Sequence, residues 1–223
     1  MNWKAIDFYP IMGEQLNSKN TMKLDFSPAN KDLEKVDLGN TAVFNEFVFG
    51  QLKQSGKIYG IGGYLEYRVI YRRSERFETS EADFRNIHLG VDIWTEAGAT
   101  IYAPLDGEIY SIQDNAGFGD YGPTIILKHI LNGKDLYSLY GHLTKTDLGL
   151  FEIGQQIKAG DLLCHVGPYP ENGDWPPHLH FQLMWELGEI FGDYPGVCAK
   201  RELDYYAENC PNPNLVLNCE VLD

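Results

Sequence analysis

Thr124-Ile125-Ile126-Leu127-Lys128-His129-Ile130-Leu131-Asn132-Gly133-Lys134-Asp135-Leu136-Tyr137-Ser138-Leu139-Tyr140-Gly141-His142 is the stretch that decides the fold class. Two runs of branched and aromatic residues flank Asn132-Gly133. That dipeptide suits the positive backbone angles of a two-residue hairpin turn. Working outward, short strands are expected over 88–94, 100–103, 107–114, 156–157, 162–166 and 178–185. Asp106-Gly107, Asn115-Ala116-Gly117 and Ala159-Gly160-Asp161 punctuate them. Many short strands with turns between them predict a mainly β chain, with an antiparallel sandwich or barrel-like core. Upstream, Val43, Phe44, Phe47, Val48 and Leu52 recur at helical spacing, and Gly56 closes that segment. Gly60 to Gly63 reads as turn residues, and 64–71 as a further strand. The expected division is a helical extension over 1–63 that packs on the core, a β-rich domain over 64–190 and an irregular extension over 191–223.

The chain has 223 residues, with 18 Lys+Arg against 32 Asp+Glu, a net charge of −14. Apolar residues at 43% can fill a core, which excludes a disordered acidic tail. The acidity is uneven. Residues 1–80 hold 11 basic and 10 acidic groups, and the rest hold 7 and 22. Such a surface is repelled by phosphate backbones and anionic headgroups, so neither nucleic acid nor a membrane is expected as a partner. Met1-Asn2-Trp3-Lys4-Ala5-Ile6-Asp7 has no basic region leading into an apolar run, so the expected location is cytoplasmic, with export by another route left open. Cys164 falls in an apolar strand pattern and reads as a buried thiol. Cys198, Cys210 and Cys219 lack the spacing of a metal knuckle.

Six histidines remain to be placed. His88 and Asp92 stand four apart in a strand pattern, so they share a face, and Gly90 between them leaves space. His178 and His180 likewise share a face, while Leu179, Phe181, Leu183 and Trp185 take the other. Two imidazoles and a carboxylate suit Zn²⁺, and three protein ligands leave a fourth position for water. His142 adds a histidine at a strand end. His129 and His165 read as structural.

Taken in order, His88-Leu89-Gly90-Val91-Asp92, then Tyr140-Gly141-His142-Leu143, then His178-Leu179-His180-Phe181 resemble the lysostaphin/LytM-type zinc endopeptidases, which cleave peptidoglycan peptides. Ala103-Pro104 with Asp106-Gly107, the glycine-led run over 119–129 and Lys158-Ala159-Gly160-Asp161 are similar to other parts of that family, so the likeness covers about 80–186. It implies a metallopeptidase domain. His88, Asp92 and His180 would hold Zn²⁺, and His142 and His178 would be catalytic. The implied reaction is hydrolysis of a peptide amide in cell-wall-type or related short peptides, by a zinc-activated water with both histidines assisting. The alternative is a non-catalytic zinc-binding or peptide-recognition module of the same fold. Gln182 is a candidate support for the metal site and Tyr140 a candidate substrate contact, and each reads equally as a packing residue. Two features depart from the family pattern. One is the bulky, acidic insertion from Gly167 to Pro177. The other is the cluster Arg68, Arg72, Arg73 and Arg76, which reads either as a solvated strand or as an anchor for a substrate carboxylate.

Overall fold

The computed structural model describes Trp3, residues 6–77 and residues 84–223. In chain order the strands and helices are β1 (Thr21–Lys23), α1 (Thr41–Ser55), β2 (Tyr59–Gly62), β3 (Ile87–His88), β4 (Val91–Trp94), β5 (Thr100–Tyr102), β6 (Gly107–Asn115), β7 (Gly122–Leu131), β8 (Lys134–Gly141), α2 (Lys145–Leu148), β9 (Gln156–Ile157), β10 (Leu162–His165), β11 (His178–Met184), β12 (Val197–Cys198), α3 (Leu203–Asn209) and α4 (Asn214–Leu217). Eight strands form one sheet in the order β1-β2-β4-β11-β8-β7-β6-β9. Only the β1–β2 pairing in it is parallel. β5 pairs with β10, and β3 with β12. The mainly β, antiparallel expectation therefore holds, as an open sheet rather than a closed barrel.

The central hairpin forms where the Asn-Gly pair demands it. Asn132 and Gly133 adopt φ of 52° and 78°. Leu131 then pairs with Lys134, and the register runs on to Ile125 opposite Tyr140. Along β7 and β8 the inward residues Ile125, Leu127, Leu136 and Tyr140 join the main core with Val91, Ile93, Leu179 and Phe181. Tyr140 is wholly buried and packs on Phe181 with ring centroids 5.5 Å apart. It is a core residue and does not line the site, so of its two readings the packing one holds. His129 is structural: Nδ1 faces the Asp106 carbonyl at 2.8 Å and Nε2 the Ser138 hydroxyl at 2.7 Å. His165 sits 3.1 Å from Asp147 Oδ1. All four cysteines are buried and free.

Helix α1 forms as its spacing requires. Asn40 caps it by accepting from the amides of Ala42 and Val43 at 3.1 and 3.3 Å. Phe44, Val48 and Leu52 are buried against the rest, while Val43 lies on the exposed side. Phe44 meets Phe26 and Trp94 with ring centroids 5.9 Å away in each case. Because Trp94 belongs to β4, this contact ties the helix to the central sheet. Phe44→Ala is expected to cost about 3–5 kcal/mol of stability, the usual loss for a buried Phe. Urea unfolding followed by fluorescence checks this. A loss below about 1 kcal/mol would mean that the helix is not part of the core.

Four expectations need correction. Residues 64–71 do not form a strand. They run as turns with one bridge, Tyr67 to Ile87, and end in a 3₁₀ turn over Ile70–Arg73. The aromatic and branched composition suggested a strand, but Arg68 turns inward to meet Glu66 and Asp92, and Leu65 has φ of 56°. Residues 88–94 form two strands, with partners β12 on one side of Leu89-Gly90 and β2 and β11 on the other. The N-terminal third contributes strands as well as a helix: β1 and β2 extend the main sheet, so it crosses the expected boundary at residue 63. Beyond residue 190, β12 and two short helices replace a purely irregular tail. Among the described residues no helix is long and apolar enough to cross a membrane.

Candidate metal centre and active site

Sheet register brings the five singled-out residues together. His180 stands opposite Asp92 on one side and Gly141 on the other. His178 stands opposite Trp94. His142 follows Gly141, and its φ of 64° turns it out of the ladder. His88 ends β3, and the chain bends through Gly90 so that Asp92 returns beside it. The space expected at Gly90 is taken by an imidazole: a Cβ there would lie 2.7 Å from His180 Nε2. Period-two alternation keeps Leu179, Phe181 and Leu183 in the core while His178, His180 and Gln182 share the opposite face.

His88, Asp92 and His180 are buried, and their donor atoms converge. His88 Nε2 is 3.0 Å from His180 Nδ1 and 3.2 Å from Asp92 Oδ1. His180 Nδ1 is 3.0 Å from the same carboxylate oxygen. The other ring nitrogens fix the tautomers. His88 Nδ1 donates to the Gly63 carbonyl at 3.1 Å. His180 Nε2 donates to Gln182 Oε1 at 2.9 Å, and the Gln182 amide donates to the Pro195 carbonyl at 3.1 Å. Gln182 thus supports the site as its position on the face suggested. Both imidazoles then turn lone pairs toward the carboxylate oxygen. Three acceptors packed this closely repel one another unless a cation lies between them. Tetrahedral ligands about 2.0–2.1 Å from Zn²⁺ stand about 3.3 Å apart, so the donor set fits zinc in both chemistry and spacing.

Electrostatics keeps His88 and Asp92 in the metal-binding form. Burial pushes His88 down to about 3, with Arg68 adding to the effect, so its imidazole is neutral. Burial opposes the charge on Asp92, yet the Arg68 guanidinium beside it outweighs this and holds the carboxyl well below the usual range. Asp92 Oδ2 is ion-paired with Arg68 Nη1.

His142 and His178 form a second pair, with ring centroids 4.2 Å apart. Each spends Nδ1 on a backbone carbonyl: His142 on Asn172 at 2.7 Å and His178 on Pro176 at 2.8 Å. The remaining nitrogen of each is therefore Nε2, and that of His178 lies 3.9 Å from Asp92 Oδ1. His178 also stacks on Trp94 at 4.0 Å. Burial drives both histidines toward the neutral form, His178 to about 4 and His142 well below its ordinary value. The two carbonyls come from the insertion between Gly167 and Pro177. Buried Asn172 braces it, donating to the carbonyls of Gly167 and Trp175 at 3.0 and 2.9 Å. No side-chain motif reveals these carbonyls, because every residue carries one.

Beside the histidines lies a cavity of ≈ 150 Å³, lined by Tyr71, Phe77, Tyr121, Trp175 and Tyr194 among others. A space of that size admits a benzene-sized group. The arginine cluster does not form one anchor there. Arg68 lies behind the metal position, and Arg73 donates to Thr41 Oγ1 and the Asp174 carbonyl, both at 2.8 Å. Arg76 alone of the four lines the cavity, paired with Asp120 at 2.7 Å.

A buried His-Asp-His donor set that could hold a metal ion thus sits beside two further neutral histidines on an antiparallel sheet. The family model described as Peptidase family M23 matches residues 86–190. An "uncharacterized metalloprotease" of Haemophilus influenzae is 30% identical over 96 residues, 43% of this chain and 18% of the relative. The L-Ala–D-Glu endopeptidase of Bacillus subtilis is 27% identical over 129 residues, 54% of this chain and 37% of the relative. A zinc-containing peptidase from Vibrio cholerae is 26% identical, with a TM-score of 0.37 over 48% of this chain and 30% of that one. The chain thus spans well under half the length of the curated relatives it matches.

Proposed function

We propose that the chain is a zinc-dependent metallo-endopeptidase acting on peptide amide bonds of peptidoglycan-type or related short peptides. The observation that carries this reading is the pairing of two arrangements. One is the trio His88, Asp92 and His180, whose donor atoms stand 3.0 to 3.2 Å apart. The other is the His142–His178 pair, which keeps Nε2 for proton transfer. Zinc, when bound, supplies Lewis acidity at the peptide carbonyl and makes water a competent nucleophile near neutral pH. The chain supplies the rest. Neutral His142 or His178 takes a proton at Nε2 and returns one to the leaving amine. The other, once protonated at Nε2, stabilises negative charge on the carbonyl oxygen. The Asn172 and Pro176 carbonyls hold the two rings so that Nε2 is the working atom. The cavity accepts an apolar or aromatic neighbour of the cut bond, and the acidity of residues 81–223 favours neutral or cationic peptides over polyanionic polymers. The named activity of the Bacillus relative supports a peptide containing glutamate as one substrate to test.

The test is metal analysis of the reconstituted chain, followed by incubation with wall-derived and glycine-rich peptides read by mass spectrometry. One zinc per chain and cleavage abolished by a chelator are expected. A chain that takes up no zinc would overturn the reading. Zinc uptake with no peptide cut would favour the recognition-module alternative.

A further inference from the structure

Arg68 is the most deeply buried charge in the described structure, with a side chain 0% exposed. It lies outside residues 86–190, the stretch that matches the M23 family. Its guanidinium divides its donors. Nη1 binds Asp92 Oδ2, and Nε binds Glu66 Oε2 at 2.7 Å. The face of the Phe26 ring lies 5.5 Å away. Asp92 is divided in the same way: Oδ2 goes to Arg68, while Oδ1 meets His88 and His180. Burying a guanidinium costs several kcal/mol unless its partners are well placed. The surrounding chain is shaped for it: Gly62 has no Cβ, and one there would collide with Arg68 Nη2. The same segment gives the Gly63 carbonyl that fixes His88.

We propose that Arg68 is a positioning residue of the metal centre, holding Asp92 so that it offers the metal a single oxygen. Residues 62–68 are then part of the site, although they lie outside the family domain. The proposal rests on Asp92 being a metal ligand. A planar fork fixes one carboxylate oxygen in a way that an ammonium cannot. Without it, Asp92 turns freely and offers both oxygens.

The full-length chain and its Arg68→Met, Arg68→Lys and Glu66→Gln variants are loaded with zinc for chelator competition and with cobalt for visible spectra. Arg68→Met is expected to weaken zinc about 10–100-fold, the usual effect of losing a partner behind a ligand. Its cobalt bands should weaken as coordination rises above four. Arg68→Lys restores the charge and should recover part of the affinity but not the wild-type spectrum. Glu66→Gln, which loosens the guanidinium from the other side, should shift both readouts the same way by less. If Arg68→Met does not fold, the Lys and Gln variants decide. Unchanged zinc affinity and cobalt spectrum in the variants that fold would overturn the proposal. Failure of the wild-type chain to bind zinc would instead sink the metallopeptidase reading beneath it.

Discussion

Asp92→Asn is expected to abolish stoichiometric zinc binding and to destabilise the chain by about 3–5 kcal/mol, the range for removing one partner of a buried ion pair. Two losses coincide at one atom group. Asp92 Oδ1 is the anionic member of the donor trio, and a carboxamide oxygen is a weaker ligand for zinc. Asp92 Oδ2 is also the main counter-charge of Arg68, whose side chain has no exposure to solvent through which to recover hydration. Burial keeps this pair from being screened, so surface discounting does not apply. Glu66 remains 2.7 Å from Arg68 Nε and offsets part of the loss, which places the effect toward the low end. His180→Ala separates the two contributions. It removes a donor but leaves Arg68 paired, so zinc is lost with a smaller fall in stability. Metal analysis and urea unfolding of the two metal-free variants check this. Equal destabilisation by both would show that Arg68 does not depend on Asp92.

The same residues show what a sequence reading reaches. Period-two alternation places His178, His180 and Gln182 on one face, because a strand's geometry leaves no other choice. Asn132-Gly133 fixes the hairpin for an equally local reason. The reading fails where a distant partner outvotes local composition. Residues 64–71 have the aromatic and branched content of a strand, yet Arg68 is drawn to a carboxylate 24 positions ahead, and the backbone bends to bring it there. Tyr140 shares a strand pattern with His142, but the positive φ at His142 breaks the alternation between them. The boundaries at 63 and 190 are invisible for a related reason. β2 and β12 find their partners in β4 and β3, and strands this short carry little pattern of their own. The carbonyls of Gly63, Asn172 and Pro176 set three of the tautomers in the site, and a backbone group leaves no mark in the sequence at all.

The histidine pair carries the other large effect. His142→Ala and His178→Ala should each lower kcat by about 10²–10⁴-fold, the span of general acid–base catalysis, while zinc content stays at one per chain. Neither ring belongs to the donor trio, which is why the metal is retained. Each substitution strands a buried carbonyl, Asn172 or Pro176, at a cost of about 1–3 kcal/mol, so the variants should fold with a modest fall in stability. The double variant should lose far less than the product of the two single losses, because groups that act on one proton path act as a unit. The two positions also differ. His178 is stacked on Trp94 and sits 3.9 Å from Asp92 Oδ1, so its ring cannot swing without breaking both contacts. His142 is flanked by Tyr121 and Trp175, with centroids 5.7 and 6.1 Å away, and lines the cavity together with His178. His142→Gln keeps an N–H donor but offers no base. Activity recovered by His142→Gln and not by His178→Gln would make His142 the stabiliser of the carbonyl oxygen and His178 the proton carrier. The opposite pattern exchanges the roles, and full activity in both alanine variants would remove the pair from catalysis altogether.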